Sequence, residues 1–221
     1  MQGTLRPQIK ICGLKTKEQV ILCKELGFAF VGFVFYKKSC RNISFKELQA
    51  LNLQSEEFKD IKKVGVFVNP SLADVSLAVK YGIDILQLHG KESFRFVCKI
   101  KSKHPDIKII KAFGLDAQTK TTILNIKLAF FCLAGADYFL FDTKTRQHGG
   151  SGHSFDWSLL KKIKTNKKYF LSGGIDKNNI KPALLYSNFI DLSSGVEESR
   201  GQKSGAKIRE IASIALNTNE R

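Results

Sequence analysis

Two side chains in this sequence have the chemistry needed to move protons. Asp142 stands near the end of the apolar run "YFLFDT" (138–143), and Cys12 stands near the end of "QIKICGL" (8–14). A positioned carboxyl group can serve as a general acid, and a thiolate can serve as a general base. Lys10 precedes Cys12 by two residues, so on a strand it points to the same side, and its ammonium group favours the thiolate. The alternatives are that Asp142 caps a turn and that Cys12 is a small buried apolar residue.

A glycine-rich loop follows Asp142. The segment "KTRQHGGSGH" (144–153) contains three glycines, and Gly150 is the central one. This composition suits a lid that closes over a site. A closed lid expels water, and the loss of water raises the pKa of a carboxyl group. The sequence therefore predicts a lid over 144–153 that helps Asp142 to act as an acid.

Two further glycine-containing segments predict a site for an anion. The first is "YFLSGG", with Gly173 and Gly174, and the second is "FIDLSSG", with Ser194 and Gly195. Glycine lets the backbone approach a ligand closely and adopt positive φ, so backbone N–H groups in these turns can close on a phosphate. The alternative is that these are ordinary turn glycines, but their occurrence in two adjacent loops favours phosphate.

Eight apolar runs alternate with stretches of helical period along the chain. The runs are typical of buried parallel strands and comprise 8–14, 30–35, 63–68, 85–90, 108–114, 138–143, 169–174 and 189–195. A helix is predicted after each run, for example in "SLADVSLAVKYG", with Ser71 as its cap and Gly82 as its end, and in "DWSLLKKI". Eight such units predict a single (β/α)8 barrel domain over 1–221, with eight parallel strands and outer helices. A doubly wound open sheet is the alternative.

A barrel would bring the polar side chains at the strand ends together. Active sites of such barrels lie at the carboxyl ends of the strands and in the loops that follow. His89 ends the fourth apolar run, and Asp191 lies near the end of the eighth. Polar groups at these positions are costly in a core and useful in a site. We therefore expect His89 and Asp191 to join Cys12 and Asp142 at one mouth.

Composition limits the classes of function that the chain can have. The net charge is +16, which can indicate nucleic-acid binding. Lysines number 29 and arginines only 7, and arginine is the usual reader of bases, so we expect an anionic small-molecule substrate and no nucleic acid. Five cysteines without a Cys-x-x-Cys pair, and four scattered histidines, predict neither a disulfide framework nor a metal site. Neither a membrane span nor a signal peptide is indicated, so the cytoplasm is predicted.

The motifs, taken in order, resemble those of one enzyme family. They read "KICGLKT", "GFVFYKKSCRNIS", "VGVFVN", "LQLHGKE", "KAFGL", "FLFDTKTRQHGGSGHSFDW", "LSGGID" and "DLSSGVEESRGQK". This order is similar to that in phosphoribosylanthranilate isomerases, which act in tryptophan synthesis. The resemblance implies a (β/α)8 barrel that converts N-(5′-phosphoribosyl)anthranilate to 1-(2-carboxyphenylamino)-1-deoxyribulose 5-phosphate. The reaction is an Amadori rearrangement and needs no metal or organic cofactor.

The resemblance also implies roles for individual residues. Cys12 is the implied general base and Asp142 the implied general acid, while Arg41 is expected near the anthranilate carboxylate. The glycine loops after the seventh and eighth strands are expected to bind the phosphate. The substrate-binding residues predicted in this way are Arg41, His89, Asp191, Gly173, Gly174, Ser194, Gly195 and Gly150.

The loop before Arg41 departs from the family pattern. Where the family commonly has two prolines, this chain has Lys37 and Cys40. Because proline restricts φ, its loss predicts a looser loop, a less firmly held Arg41 and weaker substrate binding.

Three alternative functions are compatible with parts of this pattern. A relative in histidine synthesis performs the same rearrangement on another phosphoribosyl compound, but it usually has aspartate at the position of Cys12. The other two are a basic nucleic-acid-binding protein and a phosphosugar-binding barrel without turnover. The sequence is compatible with a monomer and with a homodimer.

Overall fold

A closed barrel of eight parallel strands forms the centre of the protein, as seen in a computed structural model that describes residues 6–144 and 155–216. The strands are β1 Gln8–Cys12, β2 Phe30–Phe35, β3 Lys62–Phe67, β4 Ile85–Leu88, β5 Lys108–Leu115, β6 Tyr138–Thr143, β7 Tyr169–Leu171 and β8 Phe189–Leu192. Each strand pairs with the next along the chain, and β8 closes the barrel against β1. The predicted barrel of eight parallel strands is confirmed.

Helices connect the strands and cover the outside of the barrel. They are α1 Lys17–Glu25, α2 Phe45–Ala50, α3 Leu72–Lys80, α4 Phe94–Lys103, α5 Thr121–Leu133, α6 Ile180–Leu184 and α7 Gly205–Ala215. The predicted cap of α3 is confirmed, because Ser71 Oγ accepts the Asp74 N–H at 3.1 Å and the Asp74 carboxylate accepts the Ser71 N–H at 2.9 Å. Such reciprocal capping satisfies two backbone donors that the first helical turn leaves free.

Two connections differ from a plain strand–helix repeat. The stretch "DWSLLKKI" forms a 3-10 helix, Trp157–Lys162, so the prediction of an α-helix there is wrong. Asp156 accepts the Ser158 N–H at 2.9 Å, and this local bond favours a tight turn in a segment only six residues long. After β8, a 3-10 turn leads into an antiparallel hairpin of β9 Glu197–Ser199 and β10 Gln202–Lys203 before α7 begins.

Alternation along the strands produces two separate cores. On β1, Ile9 and Ile11 belong to the core between barrel and helices, whereas Cys12 belongs to the core inside the barrel. The amino-terminal part of the interior is filled by aromatic rings: Phe170 lies 5.2 Å from Phe30 and 5.2 Å from Phe189, measured between ring centroids. The amino-terminal part of the barrel interior is therefore packed with rings, and the polar side chains near the carboxyl ends of the strands lie at the opposite end.

Candidate active site

A cavity at the carboxyl-terminal mouth of the barrel is lined by most of the residues predicted for the site. Its lining includes the predicted residues Cys12, Arg41, His89, Asp142, Gly173, Gly174, Asp191 and Ser194. Gly195 is not one of the lining residues; it follows Ser194 in the turn after β8. Gly150 and residues 145–153 of the predicted lid lie outside the described residues. The roles of these residues in binding and catalysis stay predictions, but their convergence on one cavity is observed.

Cys12 lies at the end of β1 and is only 6% exposed. Burial raises the pKa of its thiol, because a thiolate loses hydration in the barrel interior. The positive charges of Lys10, Lys203 and Arg41 act in the opposite direction without reversing the shift. The influence of Lys10 expected from the sequence is present, but burial has the larger effect on the pKa of Cys12.

Lys10 is fully buried inside the barrel and is paired with Asp191 of β8. The two residues are direct neighbours in the β1–β8 register, and Lys10 Nζ lies 2.9 Å from Asp191 Oδ1. Burial is the largest single effect and lowers the pKa of Lys10, but the charges of Asp191 and Cys12 and the hydrogen bonds to them together outweigh it, so the pKa of Lys10 is raised. The other carboxylate oxygen of Asp191 accepts a hydrogen bond from Ser172 Oγ at 3.3 Å. Asp191, predicted to bind substrate, is thus already the counter-ion of Lys10.

Asp142 projects into the cavity from β6 with both oxygens near donors. Oδ1 accepts the backbone N–H of Thr143 at 2.8 Å. Oδ2 lies 3.3 Å from Nε2 of His89, the residue that follows β4. The carboxyl group therefore does bond to its local backbone, as the turn-capping alternative requires, and it also faces the cavity.

Arg41 is held in the cavity wall by a carboxylate that the sequence argument did not single out. Its Nε and Nη2 donate to the two oxygens of Glu197 at 2.6 and 2.7 Å. Lys203 Nζ donates to the same carboxylate at 2.7 Å. Despite the burial of Glu197, which by itself raises its pKa, these partners lower the pKa to about 2. Arg41 is thus held by a two-pronged bond to Glu197, and the prediction that loss of the prolines loosens its loop and weakens substrate binding stays a prediction.

The two glycine turns after β7 and β8 touch each other. A Cβ atom added to Gly195 would lie 2.1 Å from the carbonyl oxygen of Ile175, so only glycine fits between the turns. Gly173 has φ of 91° and Gly174 has φ of 67°, both in the left-handed region that favours glycine. A Cβ on Gly173 would also approach Asp142 Oδ1 to 2.8 Å. These glycines therefore make a narrow rim directly beside the acid candidate.

Gly32 on β2 leaves room for the thiol. It pairs with Cys12 in the β1–β2 register, and a Cβ added to Gly32 would lie 2.9 Å from Cys12 Sγ and 3.0 Å from Lys10 Cε. Real Cβ atoms rarely approach other atoms so closely. The absence of a side chain at this position is thus required by the placement of Cys12 and Lys10.

The described part of the chain contains neither a metal-binding cluster nor a membrane-spanning helix. Within residues 6–144 and 155–216, no group of three or more His, Cys, Asp and Glu side chains is arranged to hold a metal ion. In the same part of the chain, the helices are too short or too polar to cross a bilayer. The predictions of no metal and no cofactor stay predictions.

A closed (β/α)8 barrel that gathers a thiol, a carboxyl group and several cations at the carboxyl ends of its strands has the arrangement typical of barrel enzymes. The family profile described as "N-(5'phosphoribosyl)anthranilate (PRA) isomerase" matches residues 9–213. The chain therefore belongs to the phosphoribosylanthranilate isomerase family. It is an isomerase of tryptophan biosynthesis.

Individual relatives and solved structures agree with this assignment. An N-(5'-phosphoribosyl)anthranilate isomerase of Rhizobium rhizogenes is 40% identical over 215 residues, covering 94% of this chain and 93% of the relative. One from Acaryochloris marina is 35% identical over 213 residues, covering 92% and 95%. The crystal structure of the enzyme from Thermotoga maritima superimposes with a TM-score of 0.80 at 31% identity, covering 96% of this chain and 99% of that one.

Two features of the site were not predicted from the sequence: the partners of Arg41 and the need for glycine at position 32. Glu197, which accepts from Arg41, and Lys203, which donates to Glu197, lie in the quoted motif "DLSSGVEESRGQK", but that motif does not indicate these partners. Gly32 lies in the run "FVGFVF", where a glycine inside a strand could have signalled a close approach.

Proposed function

We propose that Cys12 and Asp142 perform the Amadori rearrangement of N-(5′-phosphoribosyl)anthranilate as general base and general acid. The observation that carries this proposal is that both side chains line one cavity, from strands β1 and β6 of the barrel. The two residues are distant in sequence, and closure of the barrel brings them to the same mouth. The whole chain then works as one barrel domain.

The first step opens the sugar ring. Asp142 gives its proton to the ring oxygen of the furanose while the bond from that oxygen to C1 breaks, and the nitrogen lone pair forms the C1=N double bond of an iminium ion. The bonding electron pair stays on the oxygen, which becomes a hydroxyl group. Asp142 is left as a carboxylate, which the Thr143 N–H already stabilises at 2.8 Å.

The second step removes a proton from the neighbouring carbon. The iminium nitrogen acidifies the proton on C2, and the Cys12 thiolate takes it, so the electron pair of the C–H bond forms an enolamine. Tautomerisation of the enolamine, in which C1 gains a proton and the hydroxyl group on C2 loses one, yields the ketone. The iminium ion is the electron sink, so neither step calls for a metal. Each proton transfer by a positioned side chain typically accelerates a step by about 10²- to 10⁴-fold.

Arg41 is proposed to bind the anthranilate carboxylate with the donors that Glu197 leaves available. Glu197 occupies Nε and one hydrogen of Nη2. A guanidinium has five N–H donors, so Nη1 and the second hydrogen of Nη2 can hold a carboxylate with two hydrogen bonds. Arg41 lines the cavity, and this supports contact between those donors and a ligand bound there.

The phosphate is proposed to lie on the glycine rim. Gly173, Gly174, Ser194 and Gly195 belong to the two turns that touch each other, and backbone N–H groups of such turns bind phosphate in many barrels. A relative solved in complex with reduced 1-(o-carboxyphenylamino)-1-deoxyribulose 5-phosphate superimposes with a TM-score of 0.77 at 28% identity, covering 96% of this chain and 99% of that one. That complex supports a phosphosugar–anthranilate substrate for the present chain.

The proposal also covers the cellular compartment and the oligomeric state of the protein. We place the enzyme in the cytoplasm, because the five cysteines are all free and their number is odd. It acts on a small molecule, without nucleic acid, as a monomer or a homodimer. A relative from Thermotoga maritima is described as dimeric, so light scattering of the purified chain is the direct measurement of its assembly.

The decisive experiment is an activity assay on purified protein. Fluorescence would follow conversion of synthetic N-(5′-phosphoribosyl)anthranilate, with the phosphoribosyl substrate of the histidine-synthesis relative as a parallel assay. Turnover of the first substrate alone is expected. Turnover of only the second, or binding of either without product, would contradict the proposal. Retention on a nucleic-acid column at about 0.2 M salt would instead support the nucleic-acid alternative, since weak charge-only binding falls steeply at that ionic strength.

A further inference from the structure

A continuous line of polar contacts joins the two ends of the proposed acid–base site. Lys10 Nζ donates to Gln87 Oε1 at 2.5 Å, and Gln87 Nε2 lies 2.8 Å from His89 Nδ1. His89 Nε2 in turn lies 3.3 Å from Asp142 Oδ2. Lys10 also accompanies Cys12 on the inward face of β1, so the line runs from the neighbour of the base to the acid.

The contact between Lys10 and Gln87 determines which atoms donate and which accept in the contacts that follow it. A lysine ammonium group has donors and no acceptor, so the Gln87 atom that faces Lys10 is the amide oxygen. The amide nitrogen must then face His89 Nδ1. Because an amide NH₂ group can only donate, Nδ1 must be unprotonated, and the neutral ring carries its hydrogen on Nε2.

We propose that Lys10 and Gln87 lock His89 in the neutral Nε2–H tautomer, and that this tautomer makes His89 a positioning residue for Asp142. The role rests on the proposed function of Asp142 as general acid. His89 was expected to bind substrate, whereas this assignment gives it an effect that acts through Asp142.

The locked tautomer has two consequences for proton transfer. Its Nε2–H is a donor directed at Oδ2, so the carboxylate formed when Asp142 gives up its proton is met by a donor at each oxygen, His89 at Oδ2 and Thr143 at Oδ1. Its Nδ1 already faces the amide N–H donor of Gln87, so a second ring proton, on Nδ1, would bring an N–H donor of His89 against that N–H donor. The proton of Asp142 therefore has no competing acceptor at His89 and goes to the sugar oxygen. The 3.3 Å separation is typical of catalytic contacts that tighten when substrate binds.

Hydrogen bonds to the backbone of His89 and of the next residue hold the segment that carries the His89 ring. The His89 N–H donates to the carbonyl oxygen of Phe67 on β3 at 2.8 Å. The next residue, Gly90, is held by Glu92, which accepts its N–H at 3.0 Å, and by Lys111, which donates to its carbonyl oxygen at 2.8 Å. The ring thus projects from a short, fixed segment, as a positioning role requires.

The direct test is nitrogen NMR of the histidine rings in the substrate-free protein. In wild-type protein, His89 Nδ1 should show the shift of an unprotonated nitrogen and Nε2 that of a protonated one, with His89→Gln used to assign the signals. In Gln87→Glu, a carboxylate faces Nδ1, so Nδ1 should become protonated. His104, whose ring contacts Ser76 and not Gln87, is the internal control and should not change.

Kinetics distinguishes a positioning role from direct binding of substrate. His89→Leu removes the donor and should lower kcat at least about tenfold with KM nearly unchanged. His89→Gln keeps an N–H donor that cannot titrate and should recover most of that loss. Gln87→Glu should lower kcat in the same way, because the ring proton moves away from Asp142.

Specific results would overturn the assignment. These are a protonated Nδ1 in the wild-type protein, an unchanged tautomer in Gln87→Glu, or a His89→Leu variant in which only KM rises. Failure of the proposed function gives a different result. A wild-type protein that does not turn over the substrate would disprove the isomerase mechanism. The NMR measurement needs no substrate, so it tests the tautomer of His89 independently of turnover.

Discussion

Arg41 and Glu197 are 156 positions apart in sequence and are joined by two nearly parallel hydrogen bonds of 2.6 and 2.7 Å. The pair ties the loop after β2 to the hairpin β9–β10. The turn of that hairpin packs on the same loop, since a Cβ added to Gly201 would lie 3.0 Å from the carbonyl oxygen of Cys40. A planar, two-pronged bond of this kind restricts orientation as well as distance, so Arg41 is presented to the cavity at a defined angle.

Removing the charge of Glu197 should weaken substrate binding more than it slows turnover. Glu197→Gln loses the bidentate partner of Arg41, so we expect KM to rise about tenfold or more while kcat changes by less than about threefold. Steady-state kinetics checks this split. Glu198→Gln, at the adjacent exposed position, is the matched control and should behave as wild type. A lower kcat with unchanged KM in Glu197→Gln would contradict the role given to the pair.

The same pair should make stability depend on pH in the acid range. The pKa of Glu197 in the folded protein is about 2, against an ordinary value of 4.5. A depressed pKa contributes stability that is fully present above the unfolded value and is lost as the pH falls toward the folded one. Urea unfolding at several pH values between 4.5 and about 2 should therefore show a steeper loss of unfolding free energy in wild type than in Glu197→Gln. Parallel curves for the two proteins would exclude this contribution.

Replacing either proposed proton carrier should abolish most activity without unfolding the protein. Cys12→Ser supplies a hydroxyl too weakly acidic to act as the base, and Asp142→Asn cannot give up a proton. Each is expected to lower kcat at least about a hundredfold. Circular dichroism of both variants should match wild type. Near-normal turnover in either one would remove that residue from the mechanism.

Ionisation of the Cys12 thiol should increase above neutral pH. Burial raises the pKa of the thiol, so only a small fraction is thiolate at neutral pH, and that fraction grows as the pH increases. We expect the rate at which iodoacetamide alkylates Cys12, followed by mass spectrometry of the modified residue, to increase through the mildly alkaline range. The value of kcat/KM should rise less steeply than this rate, because the reaction also needs the protonated form of its general acid, whose fraction falls as the pH rises. An alkylation rate that is flat from neutral to alkaline pH would contradict the raised pKa of the thiol.

A methyl group on Gly32 should displace the thiol. Gly32→Ala places a Cβ 2.9 Å from Cys12 Sγ, so the side chain must rotate or the strands must separate. We expect kcat to fall at least about tenfold, since small displacements of a reacting group are costly. Gly205→Ala, in the outer helix α7, is the control, because the atoms nearest to its Cβ would be side-chain atoms of Arg209 and Leu22 at 3.3 Å or more. Equal activities of the two variants would show that space beside the thiol is not limiting.

Much of the architecture followed from local pattern. The runs 30–35 and 138–143 coincide with β2 and β6, and Ser71 begins α3 as its sequence predicts. The connection at 157–162 was mispredicted, because its apolar spacing is compatible with either type of helix and a local Asp156 bond favours the tighter one.

By itself, the sequence determined that eight parallel strands carry polar residues at their carboxyl ends. Closure of any such barrel brings Cys12 and Asp142 to one mouth, because parallel strands end on the same side. Only the tertiary structure decided the partners: Glu197 for Arg41, Asp191 for Lys10, and the Gln87 amide for His89. It also decided that burial dominates the pKa of Cys12. These partners and this pKa shift depend on distances between segments far apart in the chain and on the exclusion of water between them. No local pattern of residues records such distances.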